Sequence, residues 1–499
     1  MRPGNEYIMD INKLFENYPC GRIGTADGYD VTALEYDSRK VRPGCLFFCL
    51  PGARMDGHDF APQAYEFGCR AFVAERTLSL PADAVQFLVP DAREALARLS
   101  ARFYGNPADE LTIIAVTGTK GKTTTAILTS EILNACGIRC AYIGTNGVMI
   151  GDDRFETVNS TPESRELHRF FAMMRERGFT HVAMEVSSQA LDHHRVDGIR
   201  FDTAIFTNLS PDHIGEGEHA SFEEYRDAKR KLFHTPGLGH IVANADDPYS
   251  AAMTEGAEAE ILTYGIENPA DYCADEIAGY RDETSLGIEF TLHEGGRRTR
   301  VRLRQPGEFS VYNGLAAIAA ASLCGIAPER AALALRTISV RGRMEIVDAL
   351  PGITFVIDYA HNGVSLTHAL TVLRAYQPKR LICLFGCIGG RTFLRRRELA
   401  EAAGKLADFT IITSDNPDIE EPEVIIEDVL NYFDRSKLYT TIPDREEAVR
   451  FAVRIAREGD IVLFAGKGHE TYQIVWGEKV PFCEKAILLD EAEKVLTPV

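Results

Sequence analysis

The segment 118–124 (GTKGKTT) has the residue types and spacing of a phosphate-binding loop. Glycines let backbone N–H groups approach phosphate oxygens, and the N-terminus of a following helix adds positive potential. Lys122 would reach the β- and γ-phosphates, and the Thr123 hydroxyl would ligate magnesium. Val116 stands where the usual motif has its first glycine, so a plain glycine turn is the alternative. The Lys-Thr pair between a strand and a helix favours ATP or GTP binding.

Two later polar segments end β-branched runs and would face the same nucleotide. Glu185 closes one run, where its carboxylate could hold magnesium, although a glutamate at a strand end is often simply solvated. The segment 207–213 (TNLSPDH) ends another run with Asp212 and His213. Ligands bind outside the carboxyl ends of parallel strands, so both segments are candidates for one site.

Lys229 lies on the apolar stripe of a helix predicted over 222–233 (FEEYRDAKRKLF). It is four residues from both Tyr225 and Phe233, whereas Arg230 and Lys231 point elsewhere. Such a lysine can snorkel, with its stem on apolar surface and its ammonium in water. Alternatively it is drawn inward, where desolvation lowers its pKa. A neutral amine can react with carbon dioxide, and the resulting carbamate could ligate magnesium or orient substrate.

Short β-branched runs alternate with helical stretches from Leu111 onward, which is typical of parallel α/β layers. The predicted strands are 111–116, 140–143, 181–186, 203–207, 241–244, 353–357, 381–385, 409–413 and 461–464. A helix is predicted over 123–136, with Gly137 as a left-handed cap. The segment 104–107 is typical of a linker, and a second boundary falls at 339–342. The sequence therefore predicts three α/β domains: 1–107, 108–339 and 340–499. Polar turns follow the last four strands and are candidates for one shared site.

Composition narrows the function classes. The 499 residues carry 54 Lys plus Arg against 73 Asp plus Glu, and a net charge of −19 disfavours a nucleic-acid binder. The densest basic run, Arg395-Arg396-Arg397, is too short to form a nucleic-acid patch. No membrane span or secretory signal is visible, so a cytoplasmic protein is predicted. Three Cys-x3-Cys pairs among the 11 cysteines invite a zinc hypothesis, but packing as small hydrophobes is favoured.

Taken together and in order, these motifs resemble the Mur ligase family over essentially the whole chain. The matching segments are 37–39 (DSR), 41–44 (VRPG), 56–58 (DGH), 118–124, 159–163 (NSTPE), 185–188 (EVSS), Asp212-His213, Tyr225-x3-Lys229, Tyr312-Asn313, 342–344 (GRM), 358–361 (DYAH), 415–417 (DNP) and 466–470 (GKGHE). One such motif would be weak, whereas this many in order are specific.

The resemblance implies three α/β domains: a uridine-nucleotide domain, a central P-loop ATPase-like domain and a C-terminal Rossmann-like domain. It implies an ATP-dependent amide ligase that adds a diamino acid to UDP-N-acetylmuramoyl-L-alanyl-D-glutamate through an acyl phosphate, in peptidoglycan precursor synthesis. Magnesium, in two sites, and a lysine carbamate formed from carbon dioxide are the implied cofactors. A monomer without nucleic acid or membrane insertion is also implied.

The resemblance also assigns residues to each role. Catalysis falls to Lys122, Glu185, His213 and Lys229, and the metal ligands are Thr123, Glu185, His213 and carbamoylated Lys229. ATP contacts are Gly118, Thr119, Lys120, Gly121, Lys122, Thr123, Thr124, Asn313, Arg343 and Asp358. The UDP-muramoyl-peptide contacts are Tyr36, Ser38, Ala53, Arg54, Met55, Asn159, Ser160, Thr161, Ser187, His193 and Arg195. The amino-acid contacts are Arg391, Asp415, Asn416, Pro417, Asp418, Gly466 and Glu470.

Departures from the family pattern fall at the amino-acid site. Members that use diaminopimelate typically carry Asp-Asn-Pro-Arg, whose arginine grips the distal carboxylate, but here the fourth residue is Asp418. The family's Gly-Gly-Asp-Arg-Asp retains only its Arg, as Arg391. Asp418 and Glu470 favour a cationic tail, so charge favours lysine over diaminopimelate. The segment 215–219 (GEGEH) also differs from the usual Asp-Tyr-His-Gly near the metal.

Two alternatives stay open from the sequence. One is another amide ligase of the superfamily, such as a folylpolyglutamate synthase or the enzyme that adds the terminal dipeptide, which the segments 37–39 and 466–470 respectively disfavour. The other is a non-catalytic nucleotide-binding subunit of a cell-wall amidation complex. Such subunits usually carry a four-cysteine zinc insertion, which the sequence lacks.

Overall fold

A computed structural model describes residues 7–52, 55–212, 214–215, 218–282, 285–390 and 393–497. They form two compact units, Met1–Tyr264 and Gly265–Val499. No helix of the described residues is long and apolar enough to cross a membrane.

The first unit begins with a small α/β layer. Its strands are β1 (Met9–Asp10), β2 (Gly21–Ile23), β3 (Asp30–Val31), β4 (Ala33–Glu35), β5 (Cys45–Phe48), β6 (Ala71–Ala74) and β7 (Val85–Leu88), and its helices are α1 (Ile11–Leu14), α2 (Ala61–Glu66) and α3 (Ala92–Phe103). Strands β4 to β7 are parallel neighbours, and β2 pairs antiparallel with β7. Apolar clusters cover both sheet faces, as a parallel sheet requires.

A second, larger sheet follows in the same unit. Its strands are β8 (Thr112–Thr117), β9 (Cys140–Gly144), β10 (Gly147–Ile150), β11 (Asp153–Phe155), β12 (His181–Glu185), β13 (Thr203–Phe206), β14 (His240–Asn244) and β15 (Glu260–Gly265). Its helices are α4 (Lys122–Ala135), α5 (Ser164–Glu176), α6 (Ser188–Asp192), α7 (Phe222–Arg230) and α8 (Ser250–Thr254). The strands in the order β9-β12-β8-β13-β14 are all parallel. Strands β9 and β12 lie on one side of β8, whereas the later strands β13 and β14 lie on its other side. The carboxyl end of β8 is therefore the switch point at which such sheets bind ligands.

The second unit opens with an antiparallel meander, β16 (Tyr272–Arg281), β17 (Leu286–Glu294) and β18 (Arg297–Leu303), followed by α9 (Phe309–Leu323) and α10 (Pro328–Leu335). Then come β19 (Glu345–Val347), β20 (Thr354–Asp358), α11 (Gly363–Arg374), β21 (Leu381–Cys387), α12 (Phe393–Leu406), β22 (Phe409–Ser414), α13 (Pro422–Leu430), β23 (Tyr439–Thr441), α14 (Arg445–Ile455), β24 (Ile461–Ala465), β25 (Tyr472–Val475), β26 (Glu478–Pro481) and α15 (Glu484–Leu496).

Six of these strands form one sheet, in the order β19-β20-β24-β21-β22-β23. All neighbours are parallel except β19, and buried clusters cover both faces. The carboxyl ends of β20, β24, β21 and β22 meet at one edge, as the sequence predicts. Strands β25 and β26 form a separate hairpin.

Candidate active site

The phosphate loop connects β8 to α4 and is held against the turn after β13. Gly118 has a φ of +144°, and a Cβ there would lie 2.0 Å from the Thr207 hydroxyl, so only glycine fits. Thr119 N donates to Asn208 O over 2.8 Å, and Lys120 N donates to the Asn208 side-chain oxygen over 2.9 Å. The loop is thus fixed before any ligand arrives.

Lys122 opens α4 and folds back over this loop. Its Nζ donates to Gly118 O over 2.8 Å and to Thr119 O over 3.1 Å. Gly121, at φ +85°, precedes the helix, and Thr123 and Thr124 are buried in its first turn. Backbone amides, a helix N-terminus and an ammonium therefore converge as an anion requires.

Glu185 ends β12 as a buried, well-anchored carboxylate. Its Oε1 accepts hydrogen bonds from the Tyr142 hydroxyl at 2.7 Å and Thr145 N at 2.8 Å, and its Oε2 accepts one from the Thr145 hydroxyl at 3.1 Å. Thr161 bridges the next residues, donating to Glu185 O and accepting from Ser187 N. Asn159 and Ser160, half-buried, lie just before it. The structure therefore brings 159–161 beside Glu185 and Ser187.

Lys229 is buried, with only 1% of its surface exposed. Its Nζ lies 4.5 Å from the Tyr225 ring centroid, and the Tyr225 hydroxyl lies 3.2 Å from the Thr119 hydroxyl of the phosphate loop. Desolvation, aided by the charge of Lys122, lowers the pKa of Lys229 well below its ordinary value. Lys231, in contrast, is exposed and pairs with Asp192. Of the two positions considered for Lys229, the structure has the inward one.

The turn after β13 carries Asp212, whose carboxylate lies 3.3 Å from the Lys120 Nζ. His213 lies outside the described residues. One group in the described part of the chain has metal-ligand atoms within 4.8 Å of one another, namely Asp192, His219 and Glu224. This is not the predicted set, and Asp192 in it is also paired with Lys231.

A polar cavity of about 760 Å³ lies in the first unit, between the start of α3 and the residues of α6 and α7. Arg93 and His193 line it. Arg195 donates to Glu163 over 2.9 Å and to Thr161 O over 3.2 Å, so it is already neutralised. Burial lowers the pKa of His193, and the charges of Arg93 and Arg195 lower it further.

The predicted uridine-nucleotide residues are dispersed over the small sheet. Ser38 donates to Gln63 over 2.8 Å, and the Tyr36 hydroxyl donates to Glu166 over 3.0 Å. Met55 is 68% exposed. Ala53 and Arg54 lie outside the described residues.

Three predicted ATP contacts lie in the second unit. Asp358 ends β20 and accepts a hydrogen bond from Met344 N over 2.7 Å. Burial raises the pKa of Asp358, while Arg343 opposes that rise. The Arg343 guanidinium lies 4.9 Å from the Tyr359 ring, and Asn313 is buried in α9.

The residues predicted to bind the amino acid gather around Lys467, which lies in the segment 466–470 but has no predicted role. Its buried Nζ lies 3.1 Å from Asp415, and it donates to Glu470 over 2.8 Å and to Asn416 over 2.5 Å. Gly466, at φ +110°, brings the backbone of its loop next to Asp415. The carboxylates of Asp415 and Glu470 thus share the buried ammonium of Lys467 as their counter-ion, a pairing that only the fold reveals.

Asp418 follows Pro417 and anchors the β25–β26 hairpin. It has a φ of +54°, its backbone N donates to Ile474 O, and its carboxylate accepts from Gly477 N over 3.1 Å. Gly389 packs on the same loop so closely that a Cβ would lie 1.9 Å from Pro417 O. Arg391 lies outside the described residues.

Sequence reasoning also missed Arg445, which is completely buried. It donates to Ser414 O at the end of β22, to Ala465 O at the end of β24, and to Glu484. An isolated arginine in an amphipathic helix gives no signal of such a contact.

The fold and the loop together define a P-loop α/β protein. Three family models match the chain: the Mur ligase family, catalytic domain over 30–104, the Mur ligase middle domain over 116–321, and the Mur ligase, glutamate ligase domain over 342–468. The chain belongs to the Mur ligase family, and is accordingly an ATP-dependent amide ligase.

Named relatives agree with that assignment. A UDP-N-acetylmuramoyl-L-alanyl-D-glutamate–2,6-diaminopimelate ligase of Geobacillus thermodenitrificans is 42% identical, covering 96% of this chain and 98% of its own. A ligase of the same name from Syntrophomonas wolfei is 40% identical, covering 92% and 94%. A solved structure of a ligase of that name has a TM-score of 0.70 at 30% identity, covering 98% and 99%.

Proposed function

We propose that this chain joins a diamino acid to the carboxylate of UDP-N-acetylmuramoyl-L-alanyl-D-glutamate, with cleavage of ATP to ADP and phosphate, in peptidoglycan precursor synthesis. The observation that carries the proposal is the buried Lys229, joined through Tyr225 to the Thr119 hydroxyl of the phosphate loop. The end-to-end similarity to ligases of this name supports it.

The reaction proceeds in two displacements. A carboxylate oxygen of the dipeptide attacks the γ-phosphorus of ATP, the bond to the bridging oxygen breaks, and ADP leaves. The amine then attacks the acyl phosphate, loses a proton, and expels inorganic phosphate as the carbon–oxygen bond breaks. The loop 118–124 binds the phosphates. The Lys122 ammonium would exchange its hydrogen bonds with Gly118 O and Thr119 O for contacts with phosphate oxygens. Asn313, Arg343 and Asp358 complete the ATP contacts.

A carbamate on Lys229 fits the site because burial favours the neutral amine that carbon dioxide requires. With the Thr123 hydroxyl and the Glu185 carboxylate it would provide the oxygen donors that magnesium prefers, and His213 is proposed as an additional nitrogen ligand. Magnesium, when bound, supplies charge neutralisation at the transferred phosphoryl group. The buried Glu185 carboxylate, held by three donors, is preorganised for that role.

The muramoyl peptide is assigned to the first unit. The segment 159–161 with Ser187, His193 and Arg195 would orient the dipeptide, while Tyr36, Ser38 and 53–55 would hold the uridine nucleotide. The cavity lined by Arg93 and His193 has room for such a ligand. The domain roles follow: 1–107 for the uridine nucleotide, 108–339 for ATP and 340–499 for the amino acid.

The acceptor is a diamino acid held by Arg391, Asp415–Asp418, Gly466 and Glu470. Charge at Asp418 and Glu470 is the basis of the lysine hypothesis. However, Glu470 is paired with Lys467, and Asp418 holds the hairpin. These two contacts, and the names of the relatives, favour diaminopimelate over lysine.

Phosphate release tests the proposal directly. Purified protein with ATP and magnesium is offered UDP-muramoyl-dipeptide and, in parallel, lysine, meso-diaminopimelate or ornithine. Phosphate release is expected only when UDP-muramoyl-dipeptide and the amino acid are both present with ATP. The mass of the UDP-muramoyl product should increase by that of the added amino-acid residue. Binding of ATP without phosphate release under every combination would instead identify a non-catalytic subunit.

A cytoplasmic monomer is the form in which we expect this activity. Loss of the enzyme would then deplete precursors and disturb cell shape and division.

A further inference from the structure

The first residue of α15 is a glutamate that lies in the interior of the second unit. Glu484 is buried, and its Oε1 accepts a hydrogen bond from Arg445 Nε over 3.0 Å and lies 2.8 Å from Arg445 Nη2. Its other oxygen is buried without a hydrogen-bond partner in the part of the chain that the structure describes. Within that part, the Glu484 carboxylate therefore hydrogen-bonds only to Arg445.

Arg445 turns its remaining N–H groups towards the ends of two strands. Nη1 donates to Ser414 O, at the end of β22, over 3.1 Å, and Nη2 donates to Ala465 O, at the end of β24, over 2.8 Å. The guanidinium is planar, so a carboxylate fixed at one edge determines where the other N–H groups point. Glu484 therefore sets the orientation of the group that holds both carbonyls.

The residues that follow these carbonyls are proposed to bind the acceptor amino acid. Asp415 follows Ser414, and Gly466 follows Ala465. The next residue, Lys467, places its ammonium 3.1 Å from the Asp415 carboxylate. A displacement of either strand end would therefore shift groups of the acceptor site, and a misplacement of about 1 Å is enough to lower a rate strongly.

A second ion pair between α14 and α15 separates this role from helix packing. Glu491 is buried and accepts hydrogen bonds from Arg450 over 3.0 Å and from Arg454 over 3.1 Å. The other carboxylates that these two arginines contact lie on the same two helices. Both ion pairs join α15 to α14, but only the pair of Glu484 with Arg445 reaches the strand ends.

We propose that Glu484 is a positioning residue for the acceptor amino acid. Through Arg445 it holds the loops 415–418 and 466–470 in the arrangement that binds the acceptor, without contacting the acceptor itself. A buried ion pair contributes little net stability, because desolvation of both charges offsets their attraction, so its main contribution here is orientation. The inference rests on the proposed function and adds α15 to the elements on which acceptor binding depends.

The test compares Glu484→Gln with Glu491→Gln, which removes the charge from the other ion pair of the same two helices. KM is measured for meso-diaminopimelate, or for lysine if the wild type ligates only lysine, and for UDP-muramoyl-dipeptide. For Glu484→Gln we expect the acceptor KM to rise about fivefold or more. Its KM for UDP-muramoyl-dipeptide should stay within about twofold of wild type, because the proposed contacts of that substrate lie in the first unit. Glu491→Gln should match wild type in both values.

Partial unfolding alone cannot produce this pattern, because loss of folded enzyme lowers the apparent kcat and leaves KM unchanged. Glu484→Asp keeps the charge on a shorter side chain, so its acceptor KM should lie between those of wild type and Glu484→Gln. If Glu484→Gln does not fold, Glu484→Asp replaces it in the same comparison.

An acceptor KM that stays at the wild-type value in the folded Glu484 variant would overturn the inference. So would an equal rise in Glu491→Gln, or an equal rise in the KM for UDP-muramoyl-dipeptide. A wild type that releases no phosphate with any amino acid would instead overturn the proposed function.

Discussion

Lys229 is the residue on which the proposed chemistry depends most directly. Lys229→Ala is expected to abolish ligation, because the proposed carbamate could no longer form. Lys405→Ala, which removes an exposed lysine of α12 that has no role in the proposed site, is the control. Amino-acid-dependent phosphate release measures both.

Added bicarbonate should not restore activity to Lys229→Ala, since no amine remains to react with carbon dioxide. Near-normal turnover in this variant would rule out the carbamate role.

His168 is a buried residue of α5 outside the proposed site. In the described part of the chain neither ring nitrogen has a hydrogen-bond partner, and burial lowers its pKa to about 4, from 6.5. The unfolded chain therefore binds a proton between pH 6.5 and 4 that the folded chain does not. The free energy of unfolding thus falls as pH decreases, by about 2 kcal/mol at pH 5 from this group alone.

His168→Leu should remove this contribution. Urea unfolding at pH 7.5 and pH 5 is expected to show a smaller loss of stability in the variant, by about 2 kcal/mol. His234→Gln, which changes an exposed histidine, should keep the wild-type pH dependence. Equal losses in His168→Leu and wild type would contradict the prediction.

At the scale of elements, the loop 415–418 and the β25–β26 hairpin are held together by Asp418. Asn at this position retains the acceptor oxygen for Gly477 N and tolerates the left-handed backbone, but carries no charge. We therefore expect Asp418→Asn to have KM values within twofold of wild type for both lysine and diaminopimelate. Asp418→Ala should raise both KM values and lose about 1 kcal/mol of stability.

A selective rise in KM for lysine in Asp418→Asn would instead support the charge-based hypothesis. The pair of variants thus separates the electrostatic role of Asp418 from its structural one.

Strands and helices were predictable where local pattern and tertiary packing agree. The run predicted over 111–116 is β8 (Thr112–Thr117), the helix predicted over 123–136 is α4 (Lys122–Ala135), and Gly137 has the expected left-handed backbone, at φ +90°. The antiparallel parts, such as β16 to β18, were missed because strands half exposed to solvent lack continuous apolar runs. At the site, helical spacing put Lys229 on the apolar stripe but left open whether its amine reaches water or lies inward, and only the burial of Lys229 in the fold decides between the two. The pairing of Lys467 with Asp415 could not be predicted, because it joins loops 52 residues apart in the chain.

At the scale of the whole molecule, the two units suggest two separately stabilised bodies, each with its own buried clusters. Calorimetry should resolve two transitions. UDP-muramoyl-dipeptide is expected to raise only the melting temperature of the first unit. The amino acid is expected to raise only the melting temperature of the second. At a hundredfold excess over Kd the stabilisation is about 2.7 kcal/mol, or roughly 5–10 °C for units of this size.

ATP, whose phosphates the loop 118–124 is proposed to bind, should raise the melting temperature of the first unit. A single transition that every ligand shifts equally would contradict this assignment of ligands to units.

Arg445 couples two loops of the proposed amino-acid site, and this coupling should affect how acceptor preference changes during evolution. One guanidinium holds the last carbonyl of β22 and the last carbonyl of β24, past the intervening β21. The loops 415–418 and 466–470 begin directly after these carbonyls, so they share one anchor point. A substitution that displaces either loop is transmitted to the other. Acceptor preference should therefore be inherited as a paired module, and transplanting one loop between relatives should lower turnover unless its partner is transplanted with it.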